Sequence, residues 1–362
     1  MNMKKVFIIL PSLGGGGAEK NIIALANFLS RIYSVHIICC YSKDENKNIS
    51  NLNDNIQLSF LEKKKVIHSL PRLINIIRTE KPENIITTVA YFSLLFSLLI
   101  PFLPKKINII CRETNIPEIY GKGKGKGKIY FILSSLIYRF FYKKYDYIVC
   151  QSNDMLKSIQ NVTRMTKKNQ IVKINNPAIP STELKEIRYE DSLPFKKYIL
   201  SAGRLTYQKG FDLLITEYKS SIFFQKNIPL LIAGTGPMES DLARIIKDNN
   251  LGNHIFLIGF RNDINFLLKN ALCFILSSRY EGFPNIVLES LYLGCPVISR
   301  NISGGINEII KSGFNGFIYE NDLEKPSNLF FKTSFNKKEI SYDIMSRFSP
   351  ENTLSKYLEI LK

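Results

Sequence analysis

A chain of 362 residues with 45% apolar content is long enough for about two domains, each with its own core. Its six cysteines are scattered, without paired metal-ligand spacing, which argues against a disulfide framework or zinc module and for a reducing cytosol. The net charge of +18 is lopsided: residues 1–180 carry 27 Lys and Arg against 11 Asp and Glu, a net of +16, and residues 181–362 carry 22 against 20, a net of +2. An excess confined to one half points to a polyanionic partner for that half, either a membrane surface or nucleic acid.

In chain order, the first ten residues hold two lysines and then five apolar residues, too short a run for a signal peptide. Val6–Leu10 reads as a strand and Ala18–Arg31 as a helix with its apolar face on Ile22, Ile23, Leu25, Ala26 and Leu29. Strands follow at Val35–Cys39 and Ile56–Phe60, then a helix over Val66–Arg78 that Pro71 interrupts early. Ile85–Val89 and Ile107–Cys111 are strands. The apolar run between them, Val89–Leu103, is 15 residues long against the ~20 needed to cross a bilayer, so it is expected to be a buried helix. Gly121–Lys128 alternates glycine and lysine and can bury nothing. A helix over Ile129–Tyr142 and strands at Tyr147–Cys150 and Ile171–Ile174 complete the first half.

Asn175–Lys197, with three prolines and many charges, reads as a linker, after which the strand–helix alternation restarts. Strands are expected at Tyr198–Ala202, Leu230–Ala233, Ile255–Ile258, Cys273–Ser277, Val297–Ser299 and Gly316–Tyr319. This gives an N-terminal Rossmann-like domain over 1–176, a second over 177–345, and a C-terminal segment over 346–362, helical from Pro350 to Leu361, that packs back on the first domain. Two such domains in series are expected to face each other across a cleft.

Four segments at strand ends carry the candidate chemistry. Ser278–Glu289 places two carboxylates, Glu281 and Glu289, around the start of a helix over Asn285–Leu293, whose backbone N–H groups suit an anion. Carboxylates beside an anion site suit hydroxyl groups, and the pair together suggests a nucleotide-sugar. Ser201–Gly210 brings Arg204 and Lys209, a planar fork and a point charge suited to a diphosphate. Ala233–Pro237 gives a tight turn with Gly234, Thr235 and Gly236, where Thr235 can bond phosphate or ribose. Gly14–Gly17 allows close approach of backbone to a ligand, but Glu19 or Lys20 stands where the dinucleotide fingerprint needs its third glycine.

In this order, GGGGAE (14–19), GRLTYQKGFDLLI (203–215), AGTGP (233–237), IFLIGF (255–260), SRYEGFPNIVLESLYLGCPVIS (278–299), SGGINEII (303–310) and GFNGFIY (313–319) resemble the retaining nucleotide-sugar glycosyltransferases of family 4. The resemblance is close from about Tyr198 to Tyr319 and loose before it. It implies a GT-B fold and an enzyme that moves a hexose or N-acetylhexosamine from a nucleotide-sugar, UDP-linked, to a lipid-linked glycan in bacterial surface polysaccharide synthesis. It further implies Arg204 and Lys209 as the diphosphate clamp, with Gly203 beside them, Glu289 on the ribose, and Glu281 beside the transferred sugar. Main-chain amides of Gly282, Phe283, Pro284, Asn285 and Ile286 would line sugar and phosphate, and Gly15 and Gly16 would approach the β-phosphate. No metal or cofactor is expected, because the paired cations neutralise the leaving diphosphate.

Many relatives carry a first-domain histidine on the donor sugar. None of His36, His68 and His254 has a convincing context, which leaves Arg112, Glu113 or Asn115 as substitutes. The expected location is the inner face of the cytoplasmic membrane. Two other classes remain open. A nucleic-acid-binding protein would interleave exposed aromatics with the basic residues around 130–144, and a GT-B epimerase or phosphorylase would keep the fold and change the reaction.

Overall fold

The computed structural model describes residues 3–14, 16–42, 49–117, 135–164, 170–179 and 194–362. The chain forms two compact units, Met1–Pro177 together with Pro350–Lys362, and Ala178–Ser349.

The first unit is built on seven parallel strands: β1 (Lys5–Leu10), β2 (Ser34–Cys39), β3 (Gln57–Phe60), β4 (Asn84–Thr88), β5 (Asn108–Arg112), β6 (Tyr147–Cys150) and β7 (Ile171–Lys173). They lie in the order β3-β2-β1-β4-β5-β6-β7. Both faces of such a sheet are covered, which is why β1 reads as a continuous apolar run from Val6 to Leu10. Side chains alternate, so Val6, Ile8 and Leu10 join one core with Ile22, Leu25, Ala26 and Leu29 of the helix Gly17–Leu29. Phe7 and Ile9 join the opposite core with Leu73 and Ile77 of Leu70–Glu80 and Phe92 and Phe96 of Ala90–Ser97.

Three sequence expectations change here. The 89–103 segment forms only an eight-residue helix, Ala90–Ser97, then a short 3-10 turn, Ile100–Phe102, because Pro101 cannot continue the ladder. Among the described residues no helix is long and apolar enough to cross a membrane. The helix expected from Val66 begins at Leu70 after a 3-10 turn, with Pro71 in its first turn, where a missing N–H costs nothing. A helix over Asn153–Thr163 was not anticipated; Ser152 caps it by accepting from the Met155 amide at 3.2 Å. Residues 135–140 are helical, whereas 118–134, with the Gly-Lys run, lie outside the described residues. Tyr138 and Tyr142 are core residues and Phe140 is exposed. All six cysteines are free and buried.

The C-terminal return starts at Pro350 rather than 346. The preceding helix, Lys337–Phe348, stays with the second unit, where Arg347 donates to the carbonyls of Glu308 (2.8 Å) and Ile309 (3.0 Å). The segment is a short helix, Pro350–Leu354, continued by a 3-10 turn, Ser355–Glu359, not one helix to Leu361. Leu354, Tyr357 and Ile360 join the core that packs the first helix. Asn108 Nδ2 donates to the Ile360 carbonyl at 2.7 Å and to Asn84 Oδ1 at 2.8 Å, while Lys362 N donates to Asn84 Oδ1 at 2.9 Å. Asn108→Ala strands the Ile360 carbonyl and is expected to cost about 2 kcal/mol in urea unfolding; an unchanged midpoint would show the clasp adds nothing.

The second unit has six parallel strands: β8 (Ile199–Ala202), β9 (Leu230–Ala233), β10 (Ile255–Leu257), β11 (Phe274–Leu276), β12 (Val297–Arg300) and β13 (Gly316–Tyr319). Their order is β10-β9-β8-β11-β12-β13. The order reverses between β8 and β11, and open α/β sheets bind ligands outside the carboxyl strand ends at such a reversal.

Candidate functional site

The two loops that carry the acidic and basic motifs leave β8 and β11 at that reversal. The first runs from Gly203 through a 3-10 turn, Tyr207–Lys209, into the helix Phe211–Tyr218. The second runs from Ser277 to Pro284 and into the helix Asn285–Tyr292. They are stitched together by backbone: Arg279 N donates to the Gln208 carbonyl at 2.7 Å, and Gln208 Nε2 to the Tyr280 carbonyl at 3.1 Å. Ser277 Oγ donates to the Lys209 carbonyl at 3.0 Å.

Across this seam Lys209 Nζ bonds Glu281 Oε1 at 2.6 Å, and Ser278 Oγ donates to the same oxygen at 2.6 Å. Glu281 is buried, and its partner keeps partial exposure. Its backbone is gripped by the loop after β12: Glu281 N donates to the Ser303 carbonyl at 3.2 Å, and Gly304, at φ +122, leaves no room for a Cβ beside the Glu281 carbonyl. This is the structural content of the Ser-Gly-Gly word at 303–305.

Arg204 is exposed, and its guanidinium has no hydrogen-bond or ion-pair partner among the described residues. Glu289 lies on the helix Asn285–Tyr292 and is 6% exposed. No side chain caps the N-terminus of that helix. One correction follows from chemistry: Pro284 is the N-cap residue and has no N–H, so the amide run is Gly282, Phe283, Asn285 and Ile286. The Phe283 side chain is core, packed on Phe348.

The Gly-Thr-Gly turn has a structural reason. Gly234, at φ +138, puts its Cα against the Gly203 carbonyl, where a Cβ would overlap it. Leu205 N donates to the Thr235 carbonyl at 2.9 Å and Met238 N to the Leu205 carbonyl at 3.1 Å, so Gly236 closes on the Arg204 loop. Thr235 is exposed at the turn. In the first unit Gly16 precedes the helix Gly17–Leu29 in extended conformation, and Gly15 lies outside the described residues.

Sequence reasoning missed Arg279. Its guanidinium holds Asp212 bidentately at 2.9 and 2.6 Å, donates to the Tyr207 carbonyl at 2.7 Å and lies 3.9 Å from the Tyr207 ring centroid. Burial pushes the Asp212 carboxyl up, but the Arg279 hydrogen bonds and charge outweigh it, so the carboxyl ends below its usual range. No local signal joins residues 67 apart; the sheet order does. The histidine question also closes for His36, which lies inside β2, bonded to Ser59 Oγ at 2.9 Å and edge-on to Phe7. Glu113 is fully buried, with Tyr142 and Cys111 donating to Oε1.

Residues 186–329 match the family described as glycosyl transferases group 1. That match lies in the second unit and takes in the loops after β8, β9, β11 and β12. An uncharacterised glycosyltransferase of Methanocaldococcus jannaschii is 32% identical over 257 residues, 68% of this chain and 62% of that protein, so the match spans under two thirds of that relative. The N-acetylgalactosamine-N,N'-diacetylbacillosaminyl-diphospho-undecaprenol 4-alpha-N-acetylgalactosaminyltransferase of Campylobacter jejuni is 28% identical over 336 residues, 89% of this chain and 87% of that one. Among solved structures, HepE of Anabaena in complex with UDP and glucose aligns with a TM-score of 0.77 at 14% identity, covering 98% of both chains. Its likeness shows the fold: two Rossmann-like units, the GT-B class.

Proposed function

We propose that this protein transfers a hexose or N-acetylhexosamine from a UDP-sugar to a glycan on a polyprenyl diphosphate carrier, with retention at the anomeric carbon, in surface polysaccharide synthesis. The observation that carries the reading is the pairing at the β8–β11 reversal: an exposed Arg204 with no side-chain partner among the described residues, and Lys209 held 2.6 Å from Glu281. Arg204 and Lys209 take the diphosphate. An ammonium has three donors, so Lys209 keeps Glu281 with one and offers the others to phosphate oxygens. Glu281 sits beside the transferred sugar, Glu289 takes the ribose hydroxyls, and the N-terminus of the helix Asn285–Tyr292 faces the anion. As the acceptor hydroxyl attacks from the leaving-group side, a phosphate oxygen takes its proton, and the two cations stabilise the departing UDP without calling on a metal. The Campylobacter relative's named acceptor supports the lipid-linked carrier, and the UDP complex of HepE supports the nucleotide.

The test is incubation with a panel of UDP-sugars and a short glycan on polyprenyl diphosphate, following UDP release and the new linkage by NMR. An α-linked product from an α-donor is expected. An isomerised donor without acceptor would establish the epimerase reading, and salt-dependent RNA binding without donor binding the nucleic-acid reading.

The same reading places the protein at the inner face of the cytoplasmic membrane. In the first unit, exposed Ile67, Phe102 and Phe140 accompany exposed Lys64, Lys65, Arg72, Arg78, Lys105 and Lys106. Basic residues near an anionic surface contribute about 1 kcal/mol each. Flotation with anionic vesicles is expected at low salt and lost at high salt; no flotation at either would remove the membrane assignment.

A further inference from the structure

The carboxyl end of β5 carries a buried charge that the donor chemistry does not use. Arg112 is 4% exposed. Side chains alternate along β5, so Ile110 faces the core shared with the first helix and Cys111 the opposite one. Arg112 shares the Ile110 side, towards the C-terminal segment. Nη2 donates to Asn176 Oδ1 at 2.6 Å, and the Tyr357 hydroxyl faces the same guanidinium. Nη1 has no hydrogen-bond partner, and no carboxylate pairs with this arginine among the described residues.

A guanidinium in this position is anomalous. Removing an ion from water costs several kcal/mol, and neutral partners do not return it. A buried arginine is ordinarily matched by a carboxylate, and here none is supplied by the described residues. Arg112 lines a small cavity of about 10 Å³ within the first unit, partly open to solvent, with Asn21, Asn175, Asn176 and Tyr357 around it. Its walls thus offer one cation and several neutral hydrogen-bonding groups, and no acid. The interior is narrow, so it accepts a single oxygen while the remainder of the ligand occupies the mouth. One hard, anionic oxygen carried on a larger group describes a phosphate.

We propose that Arg112, with Asn176 and Tyr357, forms a phosphate subsite in the first unit, in which one phosphoryl oxygen accepts a charge-assisted hydrogen bond from Nη1. Its residues belong to the unit formed by residues 1–177 and 350–362, and none of them is among those assigned to the UDP diphosphate above. The phosphate comes from free phosphate in solution or from the phosphorylated end of a lipid, and the two sources present the same oxygen.

The test is calorimetric titration of the full chain with inorganic phosphate, with farnesyl diphosphate below its micellar concentration, and with acetate as the carboxylate control. Saturable binding of phosphate, of farnesyl diphosphate, or of both is expected, and the stronger of the two names the source. Arg112→Met is expected to weaken it about tenfold or more, the worth of one hydrogen bond to a charged group. Tyr357→Phe removes one hydroxyl and keeps the ring, and is expected to weaken it about threefold; it decides the matter if Arg112→Met fails to fold. UDP binding at Arg204 is expected to be unchanged in both variants, which separates this site from the donor reading. Absence of binding by either phosphate probe, tighter binding of acetate, or identical affinity in wild type and the folded variants would overturn the proposal.

Discussion

Lys209→Ala is expected to slow sugar transfer by about 10²–10³-fold, the usual consequence of removing one preorganised charge from a site where negative charge develops. The side chain has two duties at once, since it neutralises the departing diphosphate and holds Glu281 at 2.6 Å. Its stem also lies against Gly203, which fixes where the ammonium points. Lys209→Arg keeps the charge but trades a compact ammonium for a planar fork, so it restores part of the rate. Ser278→Ala removes only the hydroxyl donor to Glu281, leaving the Lys209 ion pair in place, and is expected to cost about tenfold or less. Single-turnover UDP release from a saturating UDP-sugar measures all three. A Lys209→Ala variant that releases UDP at the wild-type rate would exclude Lys209 from the clamp.

The second large effect concerns stability and pH. Burial pushes the Glu113 carboxyl up to about 7, against hydrogen bonds from Tyr142, Cys111 and the Thr114 backbone that lower it. One of its oxygens, Oε2, has no hydrogen-bond partner among the described residues. The unfolded group titrates near 4.5, so between that value and about 7 the folded protein binds the extra proton. This contribution is therefore fully present below pH 4.5 and is lost as pH rises through 7. Glu113→Gln stays neutral at every pH. It is expected to match wild type near pH 5 and to exceed it above pH 8 by about 3 kcal/mol, the cost of ionising a carboxyl that the fold holds at about 7. Urea unfolding at both pH values decides this. A Glu113→Gln protein less stable than wild type at pH 8 would mean that the ionised carboxylate is stabilised by partners beyond those described.

Much of the architecture was legible because parallel strands covered on both faces write themselves as short apolar runs, such as Val6–Leu10 and Leu230–Ala233. Leu230–Ala233, Tyr147–Cys150 and Gly316–Tyr319 fall where their runs begin and end. The 89–103 segment misled because apolar residues all round a segment do not set its helical length; Pro101 did. The helix Asn153–Thr163 escaped notice although Ser152 and the four-residue spacing of Met155 and Ile159 were available as signals.

At the site, Arg204, Lys209, Glu281 and Glu289 were readable as residue types at strand ends. Their mutual geometry was not. Lys209 and Glu281 stand 72 positions apart, and only the adjacency of β8 and β11 brings them into one ion pair. The Arg279–Asp212 brace and the Gly304 contact with Glu281 depend on the same adjacency and on the loop after β12, neither of which leaves a local trace.

The most direct test of the nucleotide clamp is calorimetric titration of UDP and UMP into wild type and Arg204→Ala. The expected result is a loss of about tenfold or more in UDP affinity for the variant, with a much smaller loss for UMP, which lacks the second phosphate. Equal UDP affinity in the two proteins would contradict the assignment of a diphosphate to the loops at the β8–β11 reversal.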